Sequence, residues 1–261
     1  MLLIVNADDF GYTPGVNRGV AAAIRCGIVK SVSILANQPG TAEALAALHR
    51  QEFTGVSAGV HLCVTKGRPL SLPELVPSLV DAGGDFKARQ AFLSSPLVVE
   101  ELQREFFAQV DRVKAAGVAP THLDTHHHVH AHPVVLAALI SVARACCLAV
   151  RHLDPGMRDR LRTEAIPTPD RFCGDWFAAQ ATPEAFRKFV AEARRRGTRS
   201  LELMTHPGEV DGDLRRLSGY TTEREKELAI LCSPALKQWL QESGVRLGSY
   251  ADLLTALHCK H

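Results

Sequence analysis

At 261 residues the chain can bury a full core, and 46% hydrophobic with 22% charged residues is the balance of a globular protein. A formal net charge of +2 leaves no basic surplus for nucleic acid or an anionic membrane, and the cluster Arg194–Arg196 falls at a helix end, where cations complement the dipole. The N-terminal segment is too short and too uncharged for a signal peptide, no apolar run nears a membrane span, and seven cysteines without a C-x-x-C pair point to reduced thiols in a cytoplasm.

Short β-branched runs alternate with longer helical patterns, the signature of βα units around a parallel sheet. Leu2–Val5 is the first strand, and a helix follows from about Val16 to Cys26, closed by Gly27. Strands are expected over Ser31–Leu35 and Val56–Leu62, with a helix over Ala42–His49 between them. The stretch Thr65–Pro96, rich in Pro, Gly and Ser, reads as a long loop; such a loop in a compact domain usually serves function. A strong helix covers Val98–Ala116, with Leu102, Phe106, Val110 and Val113 on one face. Thr121–Asp124 and Leu148–Arg151 are strands flanking a helix opened by Pro133. Asp154–Asp175 carries no readable pattern. Beyond it come a helix over Pro183–Arg196, a strand over Ser200–Met204, helices over Thr222–Leu231 and Pro234–Ser243, a short strand over Val245–Leu247 and a terminal helix over Ser249–Leu257. With no linker or repeat, residues 1–261 read as one α/β domain. About seven parallel strands favour a closed or partly closed β/α barrel over an open sheet.

In such a fold the active-site face lies at the strands' C-terminal ends. Asp8 and Asp9 follow the first strand, His61 closes the third, the run from His122 to His132 follows the fourth, and His206 lies past the strand ending at Met204. Two adjacent carboxylates repel unless a cation intervenes; a metal would take one as ligand and leave the other free for proton transfer. The competing reading makes the pair a cap for the helix near Val16. The segment Thr121–Pro133 holds six of the twelve histidines, and imidazole at this density is metal-ligand chemistry. In an extended backbone His122, Asp124, His126, His128, His130 and His132 share one face, and His127 points away. A span of roughly 30 Å prevents all of them from binding one ion. Taken singly, His61 and His206 could be a core and a loop histidine, and Arg151 could bind a substrate oxygen or form a surface ion pair. A metal-dependent hydrolase is the leading reading. A metal-dependent phosphoesterase and a non-catalytic metal-binding protein are the alternatives, and the Asp8-Asp9 pair argues against a buffer, which needs no general base.

The motifs Ile4–Gly11, Gly59–Leu62, Thr121–His130 and His206–Gly208, in that order, resemble those of the YdjC family, over nearly the whole chain. Its best-known members are chitooligosaccharide deacetylases, and a subgroup is associated with hopanoid biosynthesis. The resemblance implies a distorted β/α barrel and one divalent metal, with Asp9, His61 and His126 as ligands, Asp8 as general base and His206 as general acid. Asp124, His128, His130 and Arg151 would then orient the ligands or contact the sugar. The implied substrate is an acetylated amino sugar, oligosaccharide or glycolipid. The ligand softness suits zinc, whereas family members are often described with magnesium, so both stay open. A homodimer, with a neighbouring subunit adding to the loop at Thr65–Pro96, is also left open.

Overall fold

The computed structural model describes residues 1–50 and 53–258; Cys259 lies outside them. Among the described residues eight strands, all parallel, build one sheet: β1 (Leu2–Phe10), β2 (Ser31–Ile34), β3 (Ser57–Leu62), β4 (His122–Thr125), β5 (Ala149–Val150), β6 (Arg171–Cys173), β7 (Ser200–Thr205) and β8 (Arg246–Gly248). The helices between them are α1 (Pro14–Arg25), α2 (Thr41–His49), α3 (Arg89–Leu93), α4 (Val99–Ala115), α5 (Pro133–Cys146), α6 (Pro155–Thr163), α7 (Pro183–Arg195), α8 (Gly212–Leu217), α9 (Thr222–Leu231), α10 (Pro234–Glu242) and α11 (Tyr250–His258). Strand order is β5-β4-β3-β2-β1-β7-β6. β5 and β6 end that path without pairing, so the sheet curls into a distorted half-barrel, the α/β architecture expected.

Two readings of the chain are extended here. β1 runs on through Asp8 and Asp9 to Phe10, and the unreadable stretch after Asp154 supplies α6 and the eighth strand, β6. The stretch expected to be a long loop holds a short 3₁₀ turn at Pro73–Leu75, a bridge between Val80 and Phe86, and α3. No helix among the described residues is long and apolar enough to cross a membrane. The six described cysteines are free thiols.

Strand alternation sorts the barrel into two chemistries. Outward-facing Leu3, Val5, Val32, Val60, Leu123, Leu201 and Leu203 join the helices in one apolar layer. Each such fully buried side chain contributes about 1.5–3 kcal/mol. The inward positions are largely polar: Asn6 and Asp8 on β1, Ser31 and Ser33 on β2, His61 on β3, His122 and Asp124 on β4, Glu202 on β7, all nearly or wholly buried. The floor is apolar inside, where Leu2, Ile4 and Ala149 pack on Tyr250 and Leu253.

That floor depends on β8. Leu2–Ile4 pair with β7 on one edge and β8 on the other, whereas β2 takes that second edge only from Asn6 upward. β8 therefore wedges in below β2, and Tyr250, just beyond it, enters the barrel and stacks on His122 at 3.8 Å between ring centroids. Gly59 makes room: a Cβ there would lie 2.4 Å from His122 Nε2, and the stacked ring has no retreat. Gly59→Ala is expected to cost about 1–3 kcal/mol through overpacking, read as a lower urea midpoint at unchanged m value.

Candidate active site

At the C-terminal ends of the strands Asp8, Asp9, His61, His126, His128 and His206 line a single cavity of about 570 Å³. Asp9 sits in the left-handed region at φ 65°, where the β1–β2 register also shifts, and this turns successive carboxylates toward different partners. The helix-cap reading of the pair does not hold: Thr13 caps α1, its Oγ1 accepting from Val16 N–H.

Asp9, His61 and His126 form a buried triangle whose ligand atoms lie within 4.8 Å of one another. Asp9 Oδ1 is 3.0 Å from His126 Nδ1 and 3.4 Å from His61 Nε2, yet it accepts no hydrogen bond. An orphaned carboxylate oxygen facing two imidazole nitrogens is what a divalent cation would satisfy, so the residues fit a metal. Asp124 Oδ1 lies 2.9 Å from His61 Nδ1, making that nitrogen the protonated one and presenting Nε2 to Asp9. Burial works against the charged ring, but Asp124 and its neighbours outweigh it and push His61 up to about 10, so metal entry must displace a proton. On Asp9, burial is outweighed by the Arg224 guanidinium, whose Nη2 stands 2.6 Å from Oδ2, and the carboxyl is held well below its usual range.

Beneath this triangle Arg151 is wholly buried among three carboxylates. Nη1 reaches Asp8 Oδ2 at 2.7 Å and Asp124 Oδ2 at 2.8 Å, Nη2 reaches Asp8 Oδ1 and Glu202 Oε1 at 2.7 Å, and Nε reaches Glu202 Oε1 at 2.9 Å. Its ion pairs are buried rather than on the surface, which corrects the reading of a surface ion pair. Burial favours the neutral form of Asp8, but Arg151 prevails and lowers its pKa, keeping it ionised. Asn6 Nδ2 adds a hydrogen bond to Asp8 Oδ1 at 2.8 Å. On Glu202 burial prevails and raises the carboxyl, and Tyr250 O–H donates to its Oε2 at 2.5 Å.

The histidine run departs from the expected alternation. β4 stops at Thr125, and His126–Ala131 forms a tight turn with His127 and His128 at φ 60° and 53°. His126 alone of the run joins the triangle. His127 Nδ1 pairs with Thr65 Oγ1 at 2.9 Å, His130 Nδ1 with Thr125 Oγ1 at 2.6 Å, and His132 caps α5. His128 lines the cavity with its ring edge-on to Phe172, and burial drives it down to about 4. His206 also lines the cavity; burial pulls it down to about 4 against the fields of Asp8 and Asp9. Its backbone N–H donates to Glu227 Oε2 at 2.5 Å, and Glu227 Oε1 lies 4.0 Å from its Nδ1.

Sequence reasoning missed Glu202, Tyr220, Arg224, Glu227 and Tyr250. Glu202 carried a signal, a carboxylate amid Leu201, Leu203 and Met204. Arg224 and Glu227 carried none, since Glu223–Glu227 is an unbroken charged run that reads as a solvated face. The stretch at 65–96 does reach the site, through Lys66 and Arg89.

A half-barrel whose strand ends gather a buried Asp–His–His triangle beside a second, ionised carboxylate defines a hydrolytic α/β enzyme. The chain belongs to the YdjC-like protein family, whose model matches residues 2–242. It is 37% identical over 256 residues to a carbohydrate deacetylase of Brevibacillus brevis, covering 97% of this chain and 100% of that one. A chitooligosaccharide deacetylase of Serratia marcescens is 38% identical over 261 residues, covering 97% and 99%. Among solved structures, an Enterococcus faecalis V583 protein described in terms of cellobiose-phosphate cleavage superposes with a TM-score of 0.91 at 31% identity, over 97% of this chain and 98% of that one.

Arg151→Met is expected to destabilise the fold by about 3–5 kcal/mol, because it leaves buried carboxylates uncompensated. Chemical denaturation measures it, and a loss below about 1 kcal/mol would show that the ion cluster does not hold the barrel.

Proposed function

We propose that this enzyme, a hydrolase of the carbohydrate-deacetylase class, removes the N-acetyl group of an amino sugar. In this reading Asp9, His61 and His126 hold a divalent ion, Asp8 is the general base and His206 the general acid. The observation that carries it is the opening of the orphaned Asp9–His61–His126 triangle into the same cavity as Asp8 and His206. The deacetylase names of relatives spanning the full length support the substrate class.

A bound ion would polarise the acetyl carbonyl and acidify the attacking water. Asp8, kept ionised by Arg151, takes a proton from that water as its oxygen bonds to the acetyl carbon and the carbonyl π pair moves onto the carbonyl oxygen. When that pair returns, the C–N bond breaks and the amine nitrogen needs a proton. His206 is neutral in its buried setting, so it must receive a proton before giving one. Asp8, newly protonated in the same cavity, is the source. Acetate and the free amino sugar leave. The six free thiols support work in a reducing cytoplasm.

Acetate release from acetylated amino sugars, oligosaccharides and glycolipids, with phosphate esters as controls, tests the reaction. Chelator is expected to abolish release and added zinc or magnesium to restore it, the more effective ion identifying the cofactor. Asp8→Asn should keep the metal and lose at least about 100-fold in kcat, whereas His126→Ala loses both metal and activity. Full metal occupancy in the His126 variant, or phosphate release without acetate, would overturn the assignment.

A further inference from the structure

The oxyanion in this reaction needs a donor from the protein, and Arg224 presents one. Its side chain is 3% exposed and lines the cavity. Nη2 is engaged with Asp9 Oδ2 at 2.6 Å and Nε with the Tyr220 carbonyl at 3.1 Å. Nη1 is buried and has no partner. A guanidinium nitrogen with two hydrogens, buried without an acceptor, is costly unless something fills the gap.

The group is also held rigidly. The guanidinium lies 5.5 Å from the Tyr220 ring centroid and 5.9 Å from that of Tyr12. The Tyr220 hydroxyl donates to Glu227 at 2.5 Å and accepts from Ala178 N–H at 2.9 Å. The Tyr12 hydroxyl donates to the Leu217 carbonyl at 3.0 Å. Two anchored nitrogens and two flanking rings fix the guanidinium, with Nη2 against Asp9, a ligand of the proposed ion, and Nη1 left without an acceptor. A donor already in place stabilises charge that develops during reaction without reorganising.

We propose that Arg224 Nη1 is the donor to the carbonyl oxygen of the scissile acetamide, making Arg224 a catalytic residue; this rests on the deacetylase reading above. As the water oxygen bonds to the acetyl carbon, the π pair gathers on the carbonyl oxygen, and Nη1–H donates to it without transferring its proton. The pair then returns, the C–N bond breaks, and an acetate oxygen remains at Nη1. Acetate therefore probes the same contact independently of turnover.

The experiment compares the metal-loaded wild type with Arg224→Lys and Arg224→Ala by metal content, acetate release from an N-acetylated disaccharide, and calorimetric binding of acetate. The lysine variant is expected to keep its metal, because a cation still faces Asp9, and to show a KM close to wild type. Its kcat should fall roughly 100-fold, the usual consequence of losing one oxyanion donor, and its acetate affinity should weaken with it. Guanidinium ion in the assay should restore part of the alanine variant's activity. Wild-type kcat and acetate affinity in the lysine variant would overturn the proposal, as would a loss of activity that excess metal repairs. If the alanine variant fails to fold, the lysine variant decides. If the wild type releases no acetate from any sugar, the deacetylase reading fails, and the acetate-binding comparison still shows whether Nη1 receives a carboxylate oxygen.

Discussion

Inside this barrel one guanidinium meets three carboxylates, and the centre above it depends on that encounter. Five polar contacts of the Arg151 guanidinium go to Asp8, Asp124 and Glu202, which hang from three different strands. Asp8 is thereby kept ionised, and Asp124 is fixed where it can align His61. The same side chain leans from the end of β5 across to β7, spanning the interior where the sheet itself does not close. Buried ion pairs are weak devices for stability, since desolvation offsets most of their attraction. Their use here is positional.

The polar interior also explains why this barrel can be both open and rigid. The apolar work of folding is done outside the strands, where the helices pack on Leu3, Val5, Val60 and Leu203. The inner faces are thereby freed for hydrogen-bonded side chains, such as Ser33, which donates to Asp124 and accepts from Asn6. Packing sets the frame, and the chain of polar contacts within it sets the angles of the side chains at the centre.

Legibility in the sequence followed the same division. Strands and helices of the outer layer were readable because periodicity records which face is greasy, as in Leu102, Phe106, Val110 and Val113 of α4. Asp8, Asp9, His61 and His206 were readable because polar residues closing apolar strands stand out. The fate of the histidine run was not, because the left-handed residues at 127 and 128 accompany a long-range hydrogen bond between His127 and Thr65 and a local one between His130 and Thr125, whereas local sequence announces that conformation chiefly through glycine or asparagine. Arg224 and Tyr250 come from helices late in the chain, and nothing in a single strand or helix pattern says that either reaches into the barrel.

The wedge of β8 against β1 joins residues 2–4 to residues 246–248, so the barrel's floor is closed by the first and last strands among the described residues. On a ribosome the floor cannot close before residues 246–250 have emerged. Until the C-terminal segment emerges, the lower edge of β1 lacks its partner, and Glu202 has no tyrosine hydroxyl to meet it. Pairings across nearly the whole length are slow to form, because their closure entropy comes before their reward. A nascent fragment carrying every proposed metal ligand would still lack the floor beneath them, which waits on residues 246–250.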